Sequence, residues 1–290
     1  MYYSIVVVTF NSRLTIGDCL APLIDMPNAE IIVVDNDSKD DTVSFVEQEF
    51  PTIKLIALRG NIGFGRACNI GVAASVGSFI FLLNPDAVAA PHAIITLCDF
   101  LERHPKAGIV GGRLVDPLGQ PLQAMGDRPS LFRLMMDKPM GLLAKHIEPQ
   151  GLWRTILGKL SLKFRLSNEP EMVVWVSGAA LCCRRSLWVE IKGFDENFFL
   201  YYEDVDLCLR ASQGGWEVWH VPDAMVCHQS GASFNGEQDY QKQVYFANQR
   251  YFFQKHYGPV SRFLLILFQW TYSHLSLYRY LANDRIGSSI

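Results

Sequence analysis

Acidic side chains occur at two places in this sequence where a carboxylate could bind a cation or accept a proton. The first is Asp86, which closes the run FIFLLNPDA after five apolar residues. The second is the pair Glu203 and Asp204, followed by Asp206, directly behind the aromatic run FFLYY. Carboxylate oxygens suit divalent cations, and an apolar wall raises the pKa of a nearby carboxylate and suits it to proton abstraction. A metal or ligand site at Asp86 and a general base behind FFLYY are therefore the two chemical interpretations.

Each place also has a simpler structural interpretation. Asn84-Pro85 ends a strand well, because proline lacks a backbone donor and restricts the residue before it. Acids in the first turn of a helix are favoured by its dipole, and helix capping would account for one of them. His228, which follows the strand-like MVC, could ligate a metal ion through neutral imidazole, although a lone histidine is more often structural.

Polar residues follow two other apolar runs as well. Asp35 comes directly after EIIVV, where an acceptor can hydrogen-bond a base or a ribose. The run at residues 54–58 is followed by RGNIGFGRACNIGV, whose glycines let the backbone approach a ligand and whose Arg66 could meet a phosphate. That segment is neither G-x-G-x-x-G nor a Walker A loop, so a simple glycine turn is an equal alternative. Three successive strands would thus end in Asp35, Asn61 and Asp86, and one nucleotide site explains all three.

Such convergence requires a parallel sheet whose carboxyl ends share an edge, and the first third of the chain predicts one. Short β-branched runs alternate there with helix-like segments, which is typical of an α/β fold. The runs are almost entirely apolar, as expected when both faces of a sheet are buried. The predicted strands are Ser4–Phe10, Glu30–Val34, Lys54–Leu58 and Ser78–Leu83, and the predicted helices are Leu14–Leu23, Asp41–Glu49 and Gly65–Ala74.

Two later segments differ in composition from the rest. Residues 126–170 mix Met, Leu, Lys and Arg without strand alternation, which predicts a helical or mobile insertion; a plain surface loop and a role in acceptor or membrane contact fit equally. Residues 263–280 are rich in aromatic and aliphatic groups, but polar residues interrupt them and disfavour a membrane-spanning helix. An interfacial membrane helix and a helix packed on the protein or on a second subunit are equal alternatives.

Composition restricts the class of protein. A chain of 290 residues with 49% hydrophobic content predicts a folded globular protein. A net charge of -3 provides no field for DNA or RNA and argues against a nucleic-acid partner. The seven cysteines include no C-x-x-C pair, so neither a disulfide framework nor a thiolate zinc site is indicated, and a reducing, cytoplasmic compartment fits best. The start MYYSIVVVTF predicts a first strand, not a signal peptide.

Six motifs occur in one order and carry a resemblance to a known family. They are VVVTFN, VVDNDSKDDT, NIGFGRACNIG, LLNPDA, WVSGA and GFDENFFLYYEDVDLCLR. Together they resemble the family 2 inverting glycosyltransferases of GT-A fold, especially the bacterial rhamnosyltransferase branch that builds cell-surface polysaccharides. The resemblance implies an α/β catalytic domain over residues 1–235, with a nucleotide-sugar-binding half (1–110) and an acceptor half (111–235). A helical extension would follow over residues 236–290.

The resemblance also implies a donor site in the first half. Asn84-Pro85-Asp86 takes the place of the family's D-x-D motif, with asparagine for the first acid. Asp86 would therefore be the main carboxylate ligand of Mg²⁺ or Mn²⁺, and His228 would complete the metal shell. The residues implied to contact the dTDP- or UDP-sugar are Thr9, Asn11, Asp35, Asn61, Gly63, Phe64, Arg66, Asn69, Asn84 and Asp86.

The same resemblance assigns the chemistry of transfer. Asp204 would deprotonate the acceptor hydroxyl, which then attacks the anomeric carbon in one inverting displacement, while Glu203 orients the acceptor or the base. Trp175, Ser177 and Gly178 would line the sugar and acceptor side. The implied reaction moves rhamnose from dTDP-rhamnose to a lipid-linked or polysaccharide acceptor at the cytoplasmic membrane face. The carboxyl-terminal segment would provide a peripheral membrane contact or a homodimer contact.

Three alternatives remain at this level. The donor could equally be a UDP-sugar such as UDP-galactofuranose, because Asp35 cannot distinguish thymine from uracil. A nucleotidyltransferase would need a glycine- and lysine-rich loop after the first strand, whereas VVVTFNSRLT offers only Arg13 and no glycine before Gly17. A non-catalytic nucleotide-sugar-binding protein would have no use for the retained Glu203, Asp204 and histidine.

Overall fold

The computed structural model describes residues 2–134, 167–229 and 238–271. The chain divides into two compact units, Met1–Arg128 with Phe164–Tyr245 and Pro129–Lys163 with Phe246–Ile290. Most of the predicted insertion at residues 126–170 and the last part of the 263–280 segment lie outside the described residues.

The first unit is built on a mixed sheet. Its strands are β1 (Tyr3–Thr9), β2 (Ala29–Asp35), β3 (Lys54–Ala57), β4 (Phe79–Leu83), β5 (Ala87–Ala89), β6 (Ala107–Val115), β7 (Met125–Gly126), β8 (Glu171–Met172), β9 (Trp175–Val176), β10 (Ala180–Arg184) and β11 (Glu217–His228). Within the described chain, one sheet has the order β3-β2-β1-β4-β10-β6-β11-β5, with β8 beside β11, and β7 pairs separately with β9.

Helices cover this sheet. They are α1 (Ile16–Leu20), α2 (Thr42–Glu49), α3 (Phe64–Ala73), α4 (Pro91–Arg103), α5 (Arg185–Glu190), α6 (Glu203–Gln213) and the start of α7 (Gln238–Tyr257). The four predicted strands and three predicted helices are confirmed, with ends displaced by at most three residues. β3, β2, β1 and β4 run parallel, as the alternation of strand and helix in the sequence requires.

Both faces of the central strands are buried, in two separate clusters. Ile5 and Val7 of β1 pack with side chains of α1, α2 and α4 on one face. Val6 of β1 and Val34 of β2 pack with side chains of α3, α5 and α6 on the other. Because successive side chains of a strand alternate between faces, an almost wholly apolar strand buries both. The result is a three-layer helix–sheet–helix arrangement.

The strands that follow β4 join the sheet in an arrangement that the sequence did not predict. β10 lies antiparallel between β4 and β6, with Ala180 opposite Leu83. The Asn84 N–H, just beyond β4, donates to the Ala179 carbonyl oxygen at 3.0 Å. β11 runs parallel to β6 and pairs with β5 through His228 and Ala87. Residues before β10 and at the end of β11 are thereby brought to the carboxyl end of β4.

The second unit contains the rest of α7 and a helix over residues 259–271. Gln269 joins the two helices, since its Oε1 accepts from Arg250 at 2.5 Å and its Nε2 donates to Gln249 at 2.7 Å. Phe252, Phe253 and Leu265 are buried there. Among the described residues, no helix is both long enough and apolar enough to span a bilayer.

Candidate active site

A cavity of about 330 Å³ lies at the carboxyl ends of β1 and β4 in the first unit. Its lining residues are Val8, Thr9, Phe10, Asn36, Asn61, Gly63, Phe64, Asn84, Pro85, Asp86, Phe199, Leu200, Tyr201, His228 and Gln241. The strand ends that carry Thr9, Asn61 and Asp86 therefore meet at one place. This is the edge at which parallel α/β sheets present groups to a ligand.

Asp86 and His228 form a polar pair in the cavity wall. The Asp86 Oδ1 and His228 Nε2 atoms are 3.1 Å apart, and the Asn84 amide nitrogen lies 3.3 Å from the same ring nitrogen. Only 5% of Asp86 is exposed. The Gln229 N–H donates to the Asp86 carbonyl oxygen at 2.9 Å, which fixes the backbone of both residues.

The donor set of this pair suits a divalent cation shared with a substrate. A carboxylate oxygen and an imidazole nitrogen are both ligands of Mn²⁺, and Mg²⁺ accepts the carboxylate. The described residues contain no group of three or more His, Cys, Asp or Glu side chains able to hold a metal ion. The remaining ligands would have to be phosphate oxygens and water, which is the usual way Mg²⁺ is held at phosphate sites. The residues present fit such an ion.

Asp35 supports the cavity wall and is not itself among the lining residues. Its side chain is 1% exposed and accepts hydrogen bonds from the Thr9 hydroxyl at 2.8 Å, the Ser38 hydroxyl at 2.5 Å and the Ser38 N–H at 2.9 Å. Asn11, at φ 51°, accepts from the Lys39 N–H at 2.7 Å and is also outside the lining set. Both residues shape the ends of β1 and β2.

Asn36, which sequence reasoning missed, organises the loop between β3 and α3. Its side-chain nitrogen donates to Asn61 Oδ1 at 2.9 Å and to the Gly63 carbonyl at 3.2 Å, while its Oδ1 accepts from the Ile62 N–H at 2.9 Å. Asn61 Oδ1 in turn accepts from the Gly63 N–H at 3.0 Å. A buried amide satisfied in this way holds the loop against the cavity. Its position directly after Asp35 was the available signal.

Gly63 joins that loop to the aromatic run. Its φ is 91°, and a Cβ at this position would lie 2.5 Å from the Phe199 carbonyl oxygen. The next N–H, that of Phe64, donates to the same oxygen at 2.8 Å. Only glycine combines this backbone conformation with so close an approach. Phe199, Leu200 and Tyr201 thereby line the cavity, and sequence reasoning assigned none of them to a site.

Arg66 and Asn69 are not in the lining set, and they hold α3 to the segment before α6. Arg66 Nε donates to the Glu196 carbonyl oxygen at 2.7 Å. Asn69 makes two hydrogen bonds to the backbone of Phe194, one to its carbonyl and one from its N–H, each 3.0 Å long. The structure therefore gives both side chains hydrogen-bond partners within the protein.

Asp204 lies in the first turn of α6, and backbone N–H groups orient its carboxylate. Gly178 donates to Oδ2 at 3.0 Å, and Val205 donates to Oδ1 at 2.8 Å. Burial raises the pKa of the Asp204 carboxyl, although these N–H groups act in the opposite direction. The carboxylate is thus fixed in position and more basic than an exposed aspartate.

The neighbouring acids differ in environment. Glu203 is 5% exposed, and no described residue provides a hydrogen bond to its Oε2. Burial, followed by the charge of Asp204, raises the pKa of Glu203 well above its usual range, which favours the protonated form of this carboxyl. Asp206 is wholly buried and pairs with Arg210 at 2.7 Å, and that arginine also donates to the Ile191 carbonyl. Asp206 therefore anchors α6.

A short path of hydrogen bonds connects Asp204 with the Asp86 side of the cavity. Asp204 accepts from Gly178, and the next residue, Ala179, accepts from Asn84. Ser177 Oγ accepts from the Ala179 N–H at 3.3 Å, and Trp175 Nε1 donates to the Asp127 carbonyl at 3.1 Å. Trp175, Ser177 and Gly178 are not in the lining set. Asp204 is not in the lining set either, and it is this path of hydrogen bonds that relates it to the strand-end residues.

This three-layer fold with its strand-end cavity is that of GT-A glycosyltransferases. The structure is similar to S. aureus TarS 1-349 solved with UDP, with a TM-score of 0.52, 19% identity and coverage of 77% of this chain. The mannosyltransferase PcManGT from Pyrobaculum calidifontis, solved with GDP-Man and Mn²⁺, gives a TM-score of 0.55 at 14% identity over 99% of this chain and 80% of that one. The chain spans 58% of the TarS chain.

Sequence comparison gives the family. Residues 4–157 match the profile described as Glycosyl transferase family 2, and residues 155–283 match Glycosyl transferase family group 2. The N-acetylglucosaminyl-diphospho-decaprenol L-rhamnosyltransferase of Mycobacterium tuberculosis is 32% identical over 70% of this chain and 67% of its own length. The Escherichia coli rhamnosyltransferase WbbL is 27% identical over 79% of this chain and 74% of its own. The chain belongs to glycosyl transferase family 2 and is a glycosyltransferase.

Gly63→Ala should destabilise the protein because the new methyl group meets the Phe199 carbonyl oxygen at a positive φ. We expect a loss of about 2 kcal/mol or more in the free energy of unfolding, measured by urea denaturation. Gly60→Ala is the matched control, since a Cβ there has no neighbour within 4 Å, and it should change stability by less than about 1 kcal/mol. Equal losses in the two variants would contradict the assigned role of the Gly63–Phe199 contact.

Proposed function

We propose that the chain is a metal-dependent, inverting rhamnosyltransferase that takes rhamnose from dTDP-rhamnose and transfers it to a lipid-linked or polysaccharide acceptor. The observation that carries the proposal is the strand-end cavity, which has the Asp86–His228 pair in its wall and is linked to Asp204 through Gly178 and Ala179. The similarity to two rhamnosyltransferases supports the choice of sugar. A lipid-linked acceptor agrees with the name of the mycobacterial relative.

The donor would bind with its nucleotide at the ends of β1 and β2. Thr9 and the loop held by Asn36 form that part of the wall, and Asp35 keeps the Thr9 hydroxyl in place. Asp86 and His228 would hold Mg²⁺ or Mn²⁺ at the diphosphate. When bound, the cation offsets the negative charge that develops on the leaving nucleoside diphosphate.

Asp204 is the proposed general base. Its carboxylate, oriented by Gly178 and Val205, would accept the proton of the acceptor hydroxyl as that oxygen bonds to the anomeric carbon and the nucleoside diphosphate leaves. The raised pKa makes Asp204 a better proton acceptor than an exposed aspartate. In its protonated form, which the raised pKa favours, Glu203 can donate a hydrogen bond, and it would orient the acceptor or the base.

Asp204→Asn should abolish transfer while leaving nucleotide binding intact. We expect kcat to fall at least about 10³-fold, with dTDP affinity unchanged by calorimetry. In the unchanged protein, kcat should decline as the pH falls through the raised pKa of Asp204, so the acidic limb lies above the pH at which an exposed aspartate titrates. Glu203→Gln removes the other ionisable group at nearly constant size and should keep that limb. Normal turnover by the Asp204→Asn variant would contradict the proposal that Asp204 is the general base.

Release of nucleoside diphosphate from a panel of nucleotide-sugars tests the reaction itself. With a diphospholipid-linked N-acetylglucosamine as acceptor, we expect the fastest release from dTDP-rhamnose. EDTA should stop the reaction, and Mn²⁺ or Mg²⁺ should restore it, because the leaving diphosphate needs a cation. Preference for UDP-galactofuranose would show a glycosyltransferase that uses a different donor sugar. Pyrophosphate release from a nucleoside triphosphate would instead show a nucleotidyltransferase.

Asp86→Ala should weaken metal-dependent donor binding in the same assay. Asp223, exposed on β11, provides the matched acid outside the cavity, and Asp223→Ala should leave the response to Mn²⁺ unchanged. Identical donor affinity with and without metal in the unchanged protein would refute the role of Asp86 and His228 in metal binding.

We also propose that the second unit contacts the cytoplasmic face of the membrane. Exposed apolar side chains recur every three or four residues on the helix at 259–271, at Val260, Phe263, Leu264, Leu267 and Trp270. That spacing places them on one face of the helix. A helix with such a face can lie in the interface of a bilayer and would bring the enzyme to a lipid-linked acceptor.

Phe263→Ser combined with Trp270→Ser should reduce co-sedimentation with phosphatidylglycerol-containing vesicles by at least about tenfold, because each aromatic side chain buries apolar area in the interface. Leu118→Ser is the matched control: Leu118 is 83% exposed but lies outside this helix, so binding should not change. A change in solution mass on gel filtration, with vesicle binding unaffected, would instead identify this face as a homodimer contact.

A further inference from the structure

Tyr201 presents a hydroxyl group to the cavity that the mechanism so far does not use. Tyr201 and Gln241 both line the cavity, and Gln241 Nε2 donates to the Tyr201 hydroxyl oxygen at 2.5 Å. The Tyr201 ring packs edge-on against Tyr245, with ring centroids 5.6 Å apart and planes at 65°. One polar contact and one aromatic contact therefore fix the position of the phenol.

The hydrogen bond from Gln241 determines whether the Tyr201 hydroxyl donates or accepts a hydrogen bond in the cavity. A phenol has a single proton to donate, and its oxygen can also accept. The amide N–H of Gln241 occupies the accepting side, and no described residue accepts the Tyr201 proton. The hydroxyl is thus prepared to donate a hydrogen bond to an oxygen atom of a molecule in the cavity.

The position of Tyr201 favours a contact with the acceptor sugar over a contact with the nucleotide-sugar donor. It comes two residues before Glu203 and three before Asp204. It also comes two residues after Phe199, whose carbonyl oxygen accepts from the Phe64 N–H at the end of the loop between β3 and α3. In an inverting displacement the acceptor oxygen approaches opposite the leaving group and beside the base. Because Tyr201 lies in the cavity wall and only three residues before the proposed base, we expect its hydroxyl to meet the acceptor sugar.

We propose that Tyr201 is a specificity-determining residue whose hydroxyl, oriented by Gln241, donates a hydrogen bond to a ring-substituent oxygen of the acceptor sugar next to the attacking hydroxyl. The inference rests on the proposed function, since it assumes sugar transfer at this cavity. It adds a hydrogen-bond donor for the acceptor that the acids of α6 do not supply.

The chain offers a matched control in the next residue. Tyr202 is also a tyrosine at positive φ, 71° against 72° for Tyr201, but its hydroxyl lies 3.2 Å from that of Tyr245 and it is not in the lining set. Replacing either tyrosine by phenylalanine removes one hydroxyl and keeps the ring. The pair separates the loss of a cavity hydroxyl from a general weakening of the segment.

The experiment measures rhamnose transfer to diphospholipid-linked N-acetylglucosamine at saturating dTDP-rhamnose. We expect Tyr201→Phe to raise the acceptor KM about tenfold, with donor KM and kcat within about twofold, because one hydrogen bond to substrate is lost. Tyr202→Phe should leave all three constants within about twofold. Gln241→Leu should raise the acceptor KM as well, and the double variant Tyr201→Phe with Gln241→Leu should be no worse than the worse single one.

The outcomes distinguish the inference from the proposed function. Transfer by the unchanged protein, with equal acceptor KM for Tyr201→Phe and Tyr202→Phe, overturns the inference alone. A Tyr201→Phe effect confined to the donor KM also overturns it and moves the hydroxyl to the donor. Additive effects of Tyr201→Phe and Gln241→Leu overturn the orienting role of Gln241. No transfer by the unchanged protein with any nucleotide-sugar of the panel overturns the proposed function and the inference together.

Discussion

The antiparallel pairing of β10 with β4 is the interaction on which the site depends. It places Ala180 opposite Leu83 and lets the Ala179 carbonyl accept from Asn84. Gly178, the preceding residue, then reaches Asp204 of α6. Without this pairing the parallel half of the sheet would still end in Thr9 and Asp86, but the acid of α6 would have no fixed relation to them. One strand pairing thus joins the proposed donor-binding edge to the proposed general base.

Much of the parallel half could be predicted from the sequence because its signals are local. Apolar runs, intervening helices and polar strand ends follow one another along the chain, so β1 to β4 and α1 to α3 were found with small errors at their ends. The second half depends on pairings between distant segments. Residues 171–184 form three short strands that pair with β11, β7, β4 and β6, and no local pattern specifies those partners. The order of the motifs, matched to a family, predicted the GT-A fold class but not these pairings.

The residues of the site divide in the same way. Strand-end acids stand out in a sequence, but their burial and partners do not. Asp35 and Asn36 are adjacent, yet the acid holds Thr9 from behind while the amide organises the loop that lines the cavity. Glu203 and Asp204 are adjacent too, yet backbone N–H groups of Gly178 and Val205 orient the Asp204 carboxylate, while Glu203 Oε2 has no hydrogen-bond partner among the described residues. The spacing of the motifs predicts which segments lie close together. Which of two adjacent residues lines the cavity and which one supports it can be read only from the folded structure.

The backbone at Tyr201 and Tyr202 shows why that division is hard to foresee. Both residues have φ near +70°, a region that tyrosine rarely adopts and that costs about 1 kcal/mol or more per residue. Nothing in their type calls for it. The conformation is retained because the contacts on either side over-determine it: the Phe199 carbonyl is held by Phe64, and α6 is anchored by the buried Asp206–Arg210 pair. Two left-handed residues in succession turn the chain sharply, and although both rings pack on Tyr245, only Tyr201 lines the cavity while the Tyr202 hydroxyl lies beside that of Tyr245.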